Sequence, residues 1–158
     1  MRRETDKLIQ ELNSVLDGQP WFGRPVYALL EEIHPAVVFK KPNEDAHSLI
    51  DLMYHMITWA EFCLHRLQGS EGYDKTWEEV NDWRMIDPLE HTWARALSEF
   101  RQLHEAIITE LNKRDDAFLD TAVQGRDYTM GFMVNGLIQH TIYHLGQIAY
   151  VKKWLIPS

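Results

Sequence analysis

Near the end of the chain, the run Asn135-Gly-Leu-Ile-Gln-His140-Thr-Ile-Tyr-His144-Leu-Gly-Gln147 sets two histidines four residues apart. On a helix such residues stand one turn above each other, with Cβ atoms about 5–6 Å apart, so both imidazoles can aim at one point. That makes a two-legged clamp for a divalent metal. A working site needs at least a third ligand from elsewhere in the fold. Pairs at this spacing also sit half-buried and bind nothing, so the third leg decides the chemistry.

Six other histidines compete, and their helix faces rank them. His55 lies at the border of an apolar stripe, with Leu52, Trp59 and Phe62 on its own row, and so faces inward. His47 and His65 fall on the opposite flank with Asp51, Thr58 and Glu61, where a solvated or salt-paired imidazole is expected. His34 precedes a proline at a helix end, and His91 and His104 lie on a charge-rich helix. All three read as surface. A lone inward histidine is most simply a core group bonded to a carbonyl or a tyrosine. Three buried together without a cation would leave several nitrogens unsatisfied, and one divalent ion resolves them at once.

The elements that must position these groups are helices. Leu8, Leu12, Val15 and Leu16 mark a first helix from about Thr5, its expected N-cap, to Leu16, with Gly18 past its end. Pro25 opens a short helix through Val26, Leu29, Leu30 and Ile33, and Ala36 to Asn43 read as an irregular crossing. The strongest pattern runs from about Ala46 to Leu67, where Leu49, Leu52, Met53, Met56, Ala60, Cys63 and Leu67 make one wide stripe. A long polar connection, Gly69 to Ile86, carries Trp77 and Trp83 and suggests a lid or contact loop. A third long helix follows Asp87-Pro88 and runs through Trp93, Phe100, Ile107 and Leu111. Asn112 to Asp127 read as loop, and Thr129 caps a last helix from about Met130 to Trp154, closed by Pro157. No stretch alternates with period two, so the expected fold is all-α, a four-helix bundle with irregular crossovers.

At 158 residues the chain fits one domain, expected over residues 1–158. A formal charge of −8 argues against a nucleic-acid backbone binder and against an anionic membrane surface. Nothing approaches a membrane span. The single Cys63 forms no internal disulfide, and the start Met-Arg-Arg-Glu-Thr-Asp lacks the apolar core of a secretion signal, so a cytoplasmic location is expected. Cys63 sits on the apolar stripe and reads as an inert buried thiol. Trp59 and Trp93 read as core, whereas Trp77 and Trp83 cover a substrate pocket or meet a partner subunit.

The pair His140-x-x-x-His144 with Gly146-Gln147, the run His47-Ser-Leu-Ile-Asp-Leu-Met-Tyr-His55-Met-Ile-Thr-Trp59 and the early Pro20-Trp21-Phe22-Gly23 resemble the DinB-like (YfiT-type) metal-binding four-helix bundles. These share only a name with the DNA polymerase. The resemblance runs through nearly the whole chain in order of elements. It implies that His55, His140 and His144 hold a divalent ion, commonly zinc or nickel, and that two chains pair as a homodimer. It also implies either a metal-dependent hydrolase or a transferase dependent on a low-molecular-weight thiol.

Three neutral ligands leave the ion its full charge and a fourth position for water, thiol or substrate. The catalytic group would then be a metal-bound water or thiol, acting on a small-molecule substrate. Gln147 and Tyr143 are placed to support the ligands by hydrogen bonding, with Asp51 and Tyr54 as weaker options. Gly136, one turn before His140, either leaves open space above the metal or permits close helix packing. The alternative is a non-catalytic bundle, in which the ion or the empty pocket is structural or only binds a small ligand. A fourth protein ligand would favour it, and Asp51, Glu90 and His91 are the candidates.

Overall fold

The computed structural model describes residues 1–156, and all of its regular structure is helical. Four long helices form the frame: α1 (Arg3–Asp17), α3 (Leu49–Gln68), α5 (Trp93–Asn112) and α7 (Met130–Leu155). Three short ones, α2 (Val26–Glu31), α4 (Lys75–Asn81) and α6 (Asp116–Leu119), lie in the connections, with a 3-10 turn at Pro35–Val37. The principal contacts of α3 are with α5 and α7, and α1 packs on the same two helices. The long helices therefore stand in a square, with α1 diagonal to α3. Among the described residues no helix is long and apolar enough to cross a membrane.

Helix α3 is the inner member. Fifteen of its twenty residues are buried, so it is covered nearly all round rather than on the one face its stripe predicts. It starts at Leu49, later than expected, because Ser48 and Asp51 form a capping box: the Ser48 hydroxyl accepts from the Asp51 N–H, and the Ser48 N–H donates to the Asp51 carboxylate at 2.9 Å. Its other end is turned off by Gly69 at φ +71°, a left-handed conformation suited to glycine.

Helix α1 begins at Arg3, and Thr5 is not its N-cap. The cap comes from a distance: one Asp116 carboxylate oxygen accepts from the Glu4 N–H at 3.0 Å, the Thr5 N–H at 2.9 Å and the Thr5 hydroxyl at 3.0 Å. A carboxylate at a helix N-terminus satisfies orphan amides and complements the dipole. The third long helix begins at Trp93 behind the Thr92 cap, rather than directly after Pro88. Thr129 caps α7 as expected, accepting from the Phe132 N–H. Pro157, expected to close α7, lies outside the described residues.

The connection read as a polar loop contains α4, which Asp74 caps at the Trp77 N–H. Trp77 packs on Tyr73, with ring centroids 4.7 Å apart. Beyond α4, the strip from Asn81 to Arg84 is fastened to α3. The Thr58 hydroxyl donates to the Asn81 carbonyl at 2.9 Å and accepts from Arg84 at 2.7 Å, and the Trp59 indole N–H donates to the Asp82 carboxylate at 2.7 Å.

Candidate metal centre

His140 and His144 project from successive turns of α7, their ring centroids 4.4 Å apart. The His55 ring reaches them from the neighbouring α3, 4.9 Å from His140 and 4.5 Å from His144. One potential ligand atom on each of the three lies within 4.8 Å of the others. The closest pair is His55 Nε2 and His140 Nε2, 3.0 Å apart. Two nitrogens on one ion at about 2.0–2.1 Å stand about 3 Å or slightly more from each other, so the spacing suits a shared cation.

The hydrogen bonds behind the rings fix their tautomers. His55 Nδ1 lies 3.1 Å from the Asp82 main-chain carbonyl and 2.9 Å from its carboxylate, so it carries the proton and donates. Gln147 does the same for His144, accepting from Nδ1 at 2.5 Å through its side-chain oxygen. Both Nε2 lone pairs are thereby left to the interior of the cluster. His140 Nδ1 is buried with no hydrogen-bond partner among the described residues. The His55 Nε2 lone pair and His140 Nε2 thus face each other. A cation between them would satisfy this arrangement by taking a lone pair from each ring, with the His140 proton then on Nδ1.

Burial pushes all three imidazoles below their ordinary pKa. His140 falls furthest, to about 3, because the charges that His144 and His55 would carry add to the burial. Asp82 pulls His55 partly back upward, and Gln147 does so for His144. Each shift favours the neutral form, which is the one that ligates. A buried cluster of neutral imidazoles, two of them oriented from behind by hydrogen-bond acceptors, fits a divalent ion that prefers nitrogen ligands.

Asp82 is the residue sequence reasoning missed, while Trp83, expected to cover a pocket or meet a partner subunit, lies against the cluster itself. Trp83 stacks on His55 at 3.9 Å and on His47 at 3.8 Å, each with planes 8° apart. Two rings that close and parallel to one indole would collide on the same face, so Trp83 is sandwiched between them. It covers one side of the site from within the chain. The weak available signal was an acidic residue beside a tryptophan just past a short amphipathic turn.

The other candidates are engaged elsewhere. Asp51 is held in the α3 capping box, Glu90 pairs with Arg95 at 3.1 Å, and His91 Nδ1 accepts from the Asp87 N–H at 2.8 Å. No further His, Cys, Asp or Glu joins the cluster among the described residues. Tyr54 turns its ring toward His91. Tyr143 is 65% exposed and meets His144 only edge to ring, at 4.9 Å. His34, His47 and His65 lie outside the cluster, and His65 stacks on Tyr73. His104, expected at the surface, is wholly buried and donates Nδ1–H to the Phe100 carbonyl at 2.8 Å. A Cβ built on Gly136 would meet nothing within 4 Å, so open space rather than close helix packing lies there.

Residues 24–148 match the family model of the DinB superfamily, a span that includes all three clustered histidines and Asp82. No curated protein matches the chain.

Proposed function

Because the chain belongs to the DinB superfamily, we propose that it is a divalent-metal-dependent enzyme in which His55, His140 and His144 hold a zinc or nickel ion. Its substrate is a small molecule, and the reaction is hydrolysis or transfer involving a low-molecular-weight thiol. The observation that carries this reading is the convergence of three buried imidazoles from two helices, with two Nε2 atoms 3.0 Å apart. When bound among neutral ligands, such an ion keeps its charge and lowers the pKa of a water or thiol at its remaining position.

The chain's own residues then have defined tasks. Asp82 holds the proton on His55 Nδ1, and Gln147 holds that on His144 Nδ1. Trp59 fixes Asp82 through its indole N–H. Trp83 keeps water from one face of the His55 ring. The absence of a fourth clustered donor among the described residues favours the enzyme over a purely structural ion.

The test is elemental analysis of purified, untagged protein after chelation and reloading with zinc or nickel. Stoichiometric uptake is expected, and it is lost in His55→Ala, His140→Ala and His144→Ala while far-UV circular dichroism stays helical. Undiminished uptake by His144→Ala rejects the site. A metal-loaded wild type with hydrolytic or thiol-transfer turnover that the chelated protein lacks would establish the activity.

A further inference from the structure

His140 also forms part of the wall of a cavity of about 290 Å³ between α3 and α7. Trp59, Phe62 and Cys63 line it from α3, and Met133, Gly136 and Leu137 from α7. No Asp, Glu, Lys or Arg lines it. The Trp59 N–H is already bonded to Asp82, so that indole offers the cavity hydrocarbon. Cys63 is fully buried, and burial holds its thiol protonated, so it too behaves as apolar wall. An engineered apolar cavity of roughly 150 Å³ takes a benzene ring. This one has room for a substituted or fused ring.

Gly136 explains why the space exists. It sits one turn before His140 in the body of α7, where glycine is disfavoured relative to alanine, and neither helix packing nor a positive φ requires it. What its missing side chain leaves is volume beside His140. A charged group placed there would lose its hydration with no opposite charge in the wall to offset it, since the lining is mostly hydrocarbon.

We propose that this cavity seats the apolar part of the substrate, an uncharged aromatic or branched aliphatic group on a molecule whose polar end reaches the three-histidine cluster, and that Gly136 sets its depth. This rests on the metal reading for the polar end, while the cavity itself is independent of the ion. For thiols, the preferred class is aromatic rather than small and hydrophilic.

Two probes separate the claims. Calorimetry on zinc-loaded wild type should find benzyl mercaptan bound at least about tenfold more tightly than 2-mercaptoethanol, the ratio expected for burying a ring. Calorimetry on metal-free wild type should find saturable binding of toluene. Gly136→Leu should abolish toluene binding and bring the two thiols to near-equal affinity, with metal uptake unchanged. Should Gly136→Leu fold poorly, Gly136→Ala, whose Cβ meets open space, should shift both readouts the same way to a smaller extent. Equal affinity of the two thiols in wild type, or a preference untouched by both substitutions, overturns the assignment. Metal uptake with no toluene binding sinks this inference alone. Gly136-dependent toluene binding in a protein that takes up no ion supports the cavity and sinks the metal reading.

Discussion

The carboxylate of Asp82 lies 2.9 Å from Nδ1 of His55, and the main-chain carbonyl of the same residue lies 3.1 Å from that nitrogen. One residue from a connection thus sets both the tautomer and the tilt of the single ring that α3 contributes to the cluster.

Removing that carboxylate should weaken the site without dissolving it, because the carbonyl remains. Asp82→Ala is expected to lower zinc affinity about 10–100-fold. Asp82→Asn, which keeps an acceptor oxygen, should lose less. Competition against a chromophoric chelator measures both, and unaltered affinity in Asp82→Ala would show that the contact does not support metal binding.

Thr58 fastens the same strip from below. Its buried hydroxyl serves the Asn81 carbonyl and Arg84, so Thr58→Val leaves polar groups without partners. A loss of about 1–3 kcal/mol is expected in urea unfolding. Trp83 fluorescence should become easier to quench with acrylamide as the strip loosens.

Gly18 tests local crowding. A Cβ there would stand 2.8 Å from the Ser14 Cα, a main-chain atom that cannot swing aside. Gly18→Ala should cost about 1–3 kcal/mol by overpacking, measured as a lower urea midpoint. An unchanged midpoint would mean that the end of α1 relaxes freely.

His104 predicts acid sensitivity. Burial lowers its pKa to about 4 from an ordinary value of 6.5, and its Nε2 is buried without a partner among the described residues. Between those values the unfolded chain takes up a proton that the folded chain refuses. Stability contributed by this group is therefore present above about pH 6.5 and falls as the pH drops toward 4, by up to about 1.4 kcal/mol per pH unit. His104→Leu should flatten the fall in urea midpoint between pH 7 and pH 5. Identical pH profiles for wild type and variant would remove His104 as a cause.

The long helices were legible because their apolar residues recur at helical spacing, and the histidine cluster because two of its members stand one turn apart on one helix. The burial of His104 was also legible in principle. It shares a row with Phe100, Ile107 and Leu111, all fully buried, although the other faces of that helix are rich in charge. Asp82 was not legible, since it meets His55 across 27 positions and no local pattern announces such a contact. Asp116 capping α1 is the same kind of case, a short-range role filled from 111 positions away. Helix α4 was hidden by its length, as a seven-residue helix carries too few turns to show a period.

Everything assigned to the site or its cavity comes from α3, α7 and the segments that lead into α4 and α7 or away from them. Helices α1 and α5, the other half of the square, contribute support alone. The chain therefore separates its working parts from its frame, and the usual exchange of stability against activity has little purchase on half of the bundle. Substitutions on the outer faces of α1 and α5 can accumulate by drift or by engineering and harden the protein without touching its chemistry. The same latitude is absent from α7, where one helix carries two histidines, the glutamine behind them and the glycine that opens the cavity.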